Sequence, residues 1–419
     1  MAFICLCSSY LPGQLTYLHC GNLIDCTNDQ VQGKSTIVVE GTTIKEVQSG
    51  WAKAPADATV IDLKTQTVMP GWTDMHVHIE GESSPARYRE QFTLNKADVA
   101  LRATVYTKRT LMAGFTGVRD LGGSGVNVSL RNAINQGFVE GPRIYTAEKA
   151  IGTTGGHADP TNGVREDLKG DPGPAEGVVN SAEDARKAVR QRYKNGADCI
   201  KITATGGVLS VAKDGQGPQF RMEELEAIVA TAKDYGMHTA AHAHGAEGMK
   251  RAVVAGISTI EHGTFMTEEV MDLMIENGTY YVPTISAGNF VVEKAKIKGY
   301  FPKIIVPKAL SVGPQINETF AKAYRRGVPI AFGTDTGVSP HGENAKEFIL
   351  MVKAGMKPMD AILSATVVPA KILGTSDRLG TIEGGKLADI IATNGNPIED
   401  ISVVTDVSFV MKNGKIFKQ

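Results

Sequence analysis

The chain has 419 residues, with 44 Lys and Arg against 45 Asp and Glu and a formal net charge of −1. That balance offers no field for a nucleic acid or an anionic membrane surface. The length predicts two or three domains, one of them able to be an α/β barrel, and no run of about 18 apolar residues predicts a membrane-spanning helix.

Met1 to Leu11 is apolar but short, without a basic start or a clear small-x-small cleavage site. It reads as a leader remnant or a poorly defined leader, so a cytoplasmic location is the expectation and export stays open. From Leu15 to Met69, short strand patterns alternate with Asn, Asp, Gly and Pro punctuation, which predicts a small β unit. After Pro70, apolar runs alternate with helical patterns, predicting βα units and a parallel sheet. The runs are Val68–His78, Thr116–Asp120, Arg143–Ala147, Cys199–Thr203, His238–His242, Ser258–His262, Tyr280–Thr284 and Pro329–Asp335. Between them, Ala182–Tyr193, after an Asn180-Ser181 cap, and Met222–Tyr235 carry apolar residues at helical spacing. The segment from Gly152 to Asn180 is a long loop rich in Gly, Pro and Asp, of the kind that serves a site.

Beyond Gly374 the strand rhythm returns, ending in a Lys412-Asn-Gly414 hairpin signal. The predicted fold is α/β: a (β/α)8 TIM barrel over residues 70–373, with a small β-sandwich formed by residues 1–69 and 374–419. The five cysteines form no CxxC pair, and a chain of this length requires no disulfide.

The polar residues on these runs form a pattern. His76 and His78 alternate on one strand face, so their imidazoles can share one ion; a pair of solvated strand histidines has the same spacing. Lys201, His242, His262 and Asp335 lie at or near the ends of later runs, where barrels build their active sites. Lys201 alternates with apolar neighbours, so its ammonium faces the interior beside the expected cations, which requires it to be neutral or modified. A lysine with its head in water is the alternative. His244, two residues after His242, and His157 and Arg165 in the long loop are candidate substrate contacts; each is also an ordinary loop residue by spacing alone. His19, His238 and His341 lack a supporting pattern.

These residues resemble the amidohydrolase superfamily. The resemblance is carried by Pro70-Gly-Trp-Thr-Asp-Met-His-Val-His78, Lys201, Ala241-His-Ala-His-Gly245, Ile260-Glu-His-Gly263, Gly333-Thr-Asp-Thr336 and the Gly385-Lys-Leu-Ala-Asp-Ile return strand. Gly155-Gly-His-Ala-Asp, Gly206-Gly207 and Tyr280-Tyr-Val-Pro-Thr284 look like the prolidase-like members. The resemblance implies two divalent metal ions, zinc foremost, with manganese or cobalt as alternatives. His76, His78 and Asp335 would hold one, His242 and His262 the other, and Lys201 would bridge both as an N6-carboxylated side chain. It further implies a bridging hydroxide that attacks an amide carbonyl, with Asp335 as general base and then acid. Xaa-Pro dipeptides are the implied substrates and a homo-oligomer the implied assembly.

One departure stands out: relatives place a Tyr at the position of His244, where it would hold the substrate carboxylate. Other readings remain: a carboxypeptidase or aminoacylase on N-acyl amino acids or other dipeptides, including those with basic C-terminal residues; a deaminase or cyclic imide hydrolase; or a metal-free relative. Lys201 argues against the deaminase and the full ligand set against the metal-free relative.

Overall fold

The computed structural model describes Gly13, residues 15–211 and residues 215–419. The apolar start, with Cys5 and Cys7, lies outside the described residues; Cys20, Cys26 and Cys199 are buried free thiols. The chain forms two compact units, Met1–Gly71 with Gly374–Gln419, and Trp72–Leu373.

The first unit begins with β1 (Leu15–Leu23), β2 (Ser35–Glu40), β3 (Thr43–Ser49) and β4 (Thr59–Pro70). The second contains β5 (Trp72–Val77), β6 (Phe115–Asp120), β7 (Arg143–Thr146), β8 (Cys199–Thr203), β9 (His238–Ala243), β10 (Thr259–His262) and β11 (Tyr280–Val282). The returning chain adds β12 (Ile390–Thr393), β13 (Val407–Lys412) and β14 (Lys415–Lys418) to the first unit.

The first unit's strands form one mixed sheet in the order β14-β13-β12-β4-β1-β2-β3, with β1 and β4 its parallel pair. Alternate residues of each strand share a face, and one such face, with Leu18, Ile37, Leu63, Ile390, Phe409 and Met411, gathers into a single apolar cluster. The expected hairpin is present: Asn413 and Gly414 adopt φ of 48° and 73°, as a tight two-residue turn between β13 and β14 requires. A Cβ on Gly414 would meet the backbone oxygen of Gly41, in the β2–β3 turn at the other end of the strand order. Two turns from opposite ends of the sheet therefore touch. Where the sequence predicts a sandwich of two sheets, the ladders show one continuous sheet curled on itself.

The second unit is α/β. Its ladders form two parallel sheets, β5-β6-β7 and β11-β10-β9-β8, joined in sequence by helices. Strands β6, β8 and β10 are buried along their whole length, as expected when both faces are covered. The Ala182–Asn195 helix forms where predicted: the Ser181 side chain accepts from the Asp184 amide, and Gly196 closes the other end at φ 91°.

The eighth run differs from expectation. Pro329–Asp335 is extended chain that pairs through single bridges, Tyr281 with Ile330 and Val77 with Thr336. Asp335 sits at φ 57°, outside the range a ladder needs, so a regular strand cannot continue through it. A third single bridge, Ile151 to Ile202, links the β7 side to β8. Among the described residues no closed eight-stranded ladder is present.

Candidate active site

Six of the predicted ligands converge at the C-terminal ends of the parallel strands. His76 lies on β5 with His78 just beyond it, Lys201 on β8, His242 on β9 and His262 on β10; Asp335 ends the eighth run. His78, Lys201, His242, His262 and Asp335 line a cavity of about 300 Å³, and His76 lies fully buried behind it. Asp335 Oδ1 is 3.5 Å from His76 Nε2 and 3.4 Å from His78 Nε2. Donor atoms of His76, His262 and Asp335 lie within 4.8 Å of one another, a grouping suited to a metal ion. This tightest trio cuts across the division that the resemblance implies, because His262 stands as near to His76 as it does to His242: the ring centroids are 4.9 and 4.6 Å apart.

Each imidazole is held by one nitrogen, which leaves the other available. Nδ1 of His76 is 2.8 Å from Glu261 Oε2, Nδ1 of His78 is 2.8 Å from the Gly122 carbonyl, and Nδ1 of His262 is 2.8 Å from Thr284 Oγ1. His242 is held the other way round, by Nε2 at 3.2 Å from the Gly206 carbonyl. Metal-binding histidines are oriented in this manner. Two buried atoms at the centre, His76 Nε2 and Asp335 Oδ1, have no hydrogen-bond partner at all. A buried polar atom without a partner costs about 1–3 kcal/mol, and a cation between these two would satisfy both. The residues present therefore fit a metal.

The electrostatics agree. Burial holds His76, His242 and His262 well below the usual imidazole range and His78 down to about 3, with Lys201 adding to each shift. All four are neutral at physiological pH, the form that binds metals. Burial lowers the Lys201 amine to about 8, against the opposing pull of Glu261 and Asp335. It raises the Asp335 carboxyl to about 7, against Lys201 and Arg87.

Three residues here adopt left-handed backbone: His262 at φ 71°, Thr284 at 52° and Asp335 at 57°. Non-glycine residues held in that region collect at functional sites, where surrounding bonds maintain them. Here the Tyr281 hydroxyl donates to the His262 carbonyl, and the Asp335 amide donates to the His76 carbonyl.

His157 and His244 also face the cavity. The His157 ring stacks on His242 at 4.3 Å between centroids, and His244 Nδ1 is 2.8 Å from Thr264 Oγ1. Arg165 is not brought to the cavity: its side chain is exposed and pairs with Asp167 two residues on, a contact its own loop supplies. His19, His238 and His341 do not line the cavity either.

The sequence reading misses the residues that support this centre. Glu261 binds His76 through one oxygen and Arg119 through the other, at 2.9 Å, and Arg119 Nε donates to the Met75 carbonyl. Both side chains are fully buried. Asp74 accepts from the backbone of His76 and Thr334 and from the Asn344 side chain, tying β5 to the extended eighth run. The available signal was a charge inside an otherwise apolar run.

The amidohydrolase family model matches residues 67–417. An ochratoxinase from Aspergillus niger is 33% identical over 379 residues, spanning 85% of this chain and 76% of that protein. Among solved structures, a Xaa-Pro dipeptidase with methionine bound in its active site matches with a TM-score of 0.95 at 56% identity, covering 97% of this chain and 100% of that one. A prolidase complexed with N-methylphosphonate-L-proline matches with a TM-score of 0.87 at 32% identity, covering 97% and 100%. The match spans both units and every strand end that carries a ligand candidate, and the chain belongs to the amidohydrolase family.

Proposed function

We propose that this protein is a metal-dependent dipeptidase that hydrolyses the amide bond of Xaa-Pro dipeptides. The observation that carries the reading is the pair of buried, partnerless atoms, His76 Nε2 and Asp335 Oδ1, among neutral histidines at the wall of an accessible cavity. The choice of Xaa-Pro rests on likeness to the Xaa-Pro dipeptidase and the prolidase. We read the two parallel sheets as arcs of one (β/α)8 barrel, continued by the three single bridges, over residues 70–373. Residues 1–69 and 374–419 form its composite β domain.

His76, His78, His242, His262, Asp335 and a carboxylated Lys201 would hold two divalent cations, most simply zinc. Cations held there would supply Lewis acidity, polarising the amide carbonyl and lowering the pKa of water towards neutrality. Lys201 is suited to modification because an amine lowered to about 8 is partly neutral at physiological pH. Its nitrogen attacks the carbon of carbon dioxide, loses a proton and leaves an anionic carbamate. Asp335 takes the proton from the attacking water and passes it to the leaving nitrogen, so that an amine departs rather than an amide anion. Burial favours a proton on this carboxyl, the direction needed by a group that must accept one and return it.

His157 and His244 hold the substrate's polar groups. The position of His157 depends on Gly207, where a Cβ would lie 2.1 Å from the imidazole. Gly207→Ala is expected to push the ring off His242 and lower kcat/KM by about tenfold or more, since small displacements in a site are costly. Steady-state kinetics beside a thermal melt separates this from unfolding, and unchanged kinetics would remove His157 from substrate binding.

A second reading, hydrolysis of N-acyl amino acids, is favoured by the apolar side of the cavity. There Val208, Val291, Val312 and Ile316 offer room for an acyl group. The deciding experiment is a panel of Xaa-Pro dipeptides, other dipeptides and N-acyl amino acids, tested on enzyme supplied with zinc and bicarbonate, with metal counted on the same sample. Turnover should favour Xaa-Pro with about two metals per chain; chelation should abolish it and zinc restore it. Full turnover by metal-free protein would overturn the proposal.

A further inference from the structure

A dipeptide carries a free carboxylate next to the bond that is cut, and a site selective for it needs a cation aimed at that end. The proposed metal ligands do not supply it. Among the described residues lining the cavity, the Lys and Arg side chains are Lys201 and Arg87. Lys201 lies on the floor, 3% exposed, among the proposed metal ligands. Arg87 is exposed and begins the Arg87–Thr93 helix.

Arg87 is also unspent. Among the described residues its guanidinium pairs with no carboxylate, while the acids nearest in sequence are taken: Glu82 by Arg109 at 3.5 Å and Glu90 by Arg102 at 2.9 Å. A guanidinium is charged at every accessible pH and matches a carboxylate with two parallel N–H donors. Lys308, another basic group near the site, is committed: its Nζ donates to the carbonyls of Gly207 and Ser210.

The segment carrying Arg87 is fixed in place over the cavity. The next residue, Tyr88, donates its hydroxyl to the carbonyl of Leu209, itself a lining residue, at 2.9 Å. The Tyr300 hydroxyl donates to the Ser83 carbonyl at 3.3 Å, and Glu80 accepts from the amides of Ser124 and Asn127. A short helix held at its start and through the residues before it presents Arg87 in one place, and preorganisation of this kind turns a surface charge into a binding group.

We propose that Arg87 anchors the C-terminal carboxylate of the substrate, with Tyr88 as the positioning residue that holds it over the cavity. This rests on the dipeptidase reading and deepens it: the enzyme selects molecules with a free carboxylate beside the scissile amide and rejects the same molecules once that carboxylate is amidated. His244, which also lines the cavity, then serves another polar group of the substrate.

The test compares kcat/KM for an Xaa-Pro dipeptide and for its C-terminal amide on the metal-loaded enzyme, reading release of the N-terminal amino acid. Wild type should prefer the dipeptide by about 10- to 100-fold, the range of a charge-assisted hydrogen-bonded pair. In Arg87→Gln the ratio should fall towards one, chiefly through a higher KM for the dipeptide. Arg87→Lys should keep part of the preference, and Tyr88→Phe, which retains the charge and loosens the helix, should fall between. A preference in Arg87→Gln equal to wild type, or a wild type that does not discriminate, would overturn the anchor while leaving the dipeptidase reading standing. A wild type that cleaves neither compound would overturn both.

Discussion

Asp335→Asn is expected to lower kcat on an Xaa-Pro dipeptide by about 10³-fold, within the range set by loss of a general acid–base group. The substitution keeps the size and planarity of the side chain, so the melting temperature should change little. What it removes is the ability to take up a proton and hand it on. The free Oδ1, 3.4 Å from His78 Nε2 and without a hydrogen-bond partner, is the atom placed for that exchange. An amide oxygen can still approach a cation but is far too weak a base to accept a proton. Metal content should be measured on the same protein, because retained metal with lost turnover isolates the proton-transfer role. Turnover at the wild-type rate would remove Asp335 from it.

The reach of sequence reasoning here follows from locality. Alternation along a strand is a property of neighbours, so His76 with His78, Lys201 within β8, and the positions of His242 and His262 at their strand ends were all legible. So were the Ser181 cap and the Asn413-Gly414 turn, which are set by residues a few places apart. The curl of the first unit's sheet was not, because it arises where Gly414 meets Gly41 across the whole strand order. The interruption of the eighth run was hidden for a related reason. Nothing in Gly-Thr-Asp announces a positive φ at Asp335, which is imposed by bonds to β5 and not by its own neighbours. Arg165 misled because a basic residue in a long loop looks the same whether it turns inwards or, as here, satisfies itself on Asp167.

Glu261 is the clearest case of a residue whose role is invisible locally and large in the fold, and its removal carries the largest expected cost in stability. It sits beside His262 and accepts from Thr259 two residues back, but its ionisable partners are Arg119, 142 positions away, and His76, 185 positions away. With Arg119 and Glu261 both fully buried, replacing one leaves the other's charge uncompensated in a low-dielectric interior, a loss of about 3–5 kcal/mol. Glu261→Gln should therefore lower the melting temperature by roughly 6 °C or more at about 2 °C per kcal/mol. It should also weaken metal retention by about 10- to 100-fold, because His76 loses the carboxylate that fixes its tautomer and aims Nε2 at the site. The double variant Arg119→Met with Glu261→Gln separates the two effects. Removing the stranded guanidinium should restore much of the stability while leaving metal retention impaired, since only the first defect is electrostatic. A Glu261→Gln protein that melts like wild type and holds metal as tightly would show that His76 is oriented by packing alone.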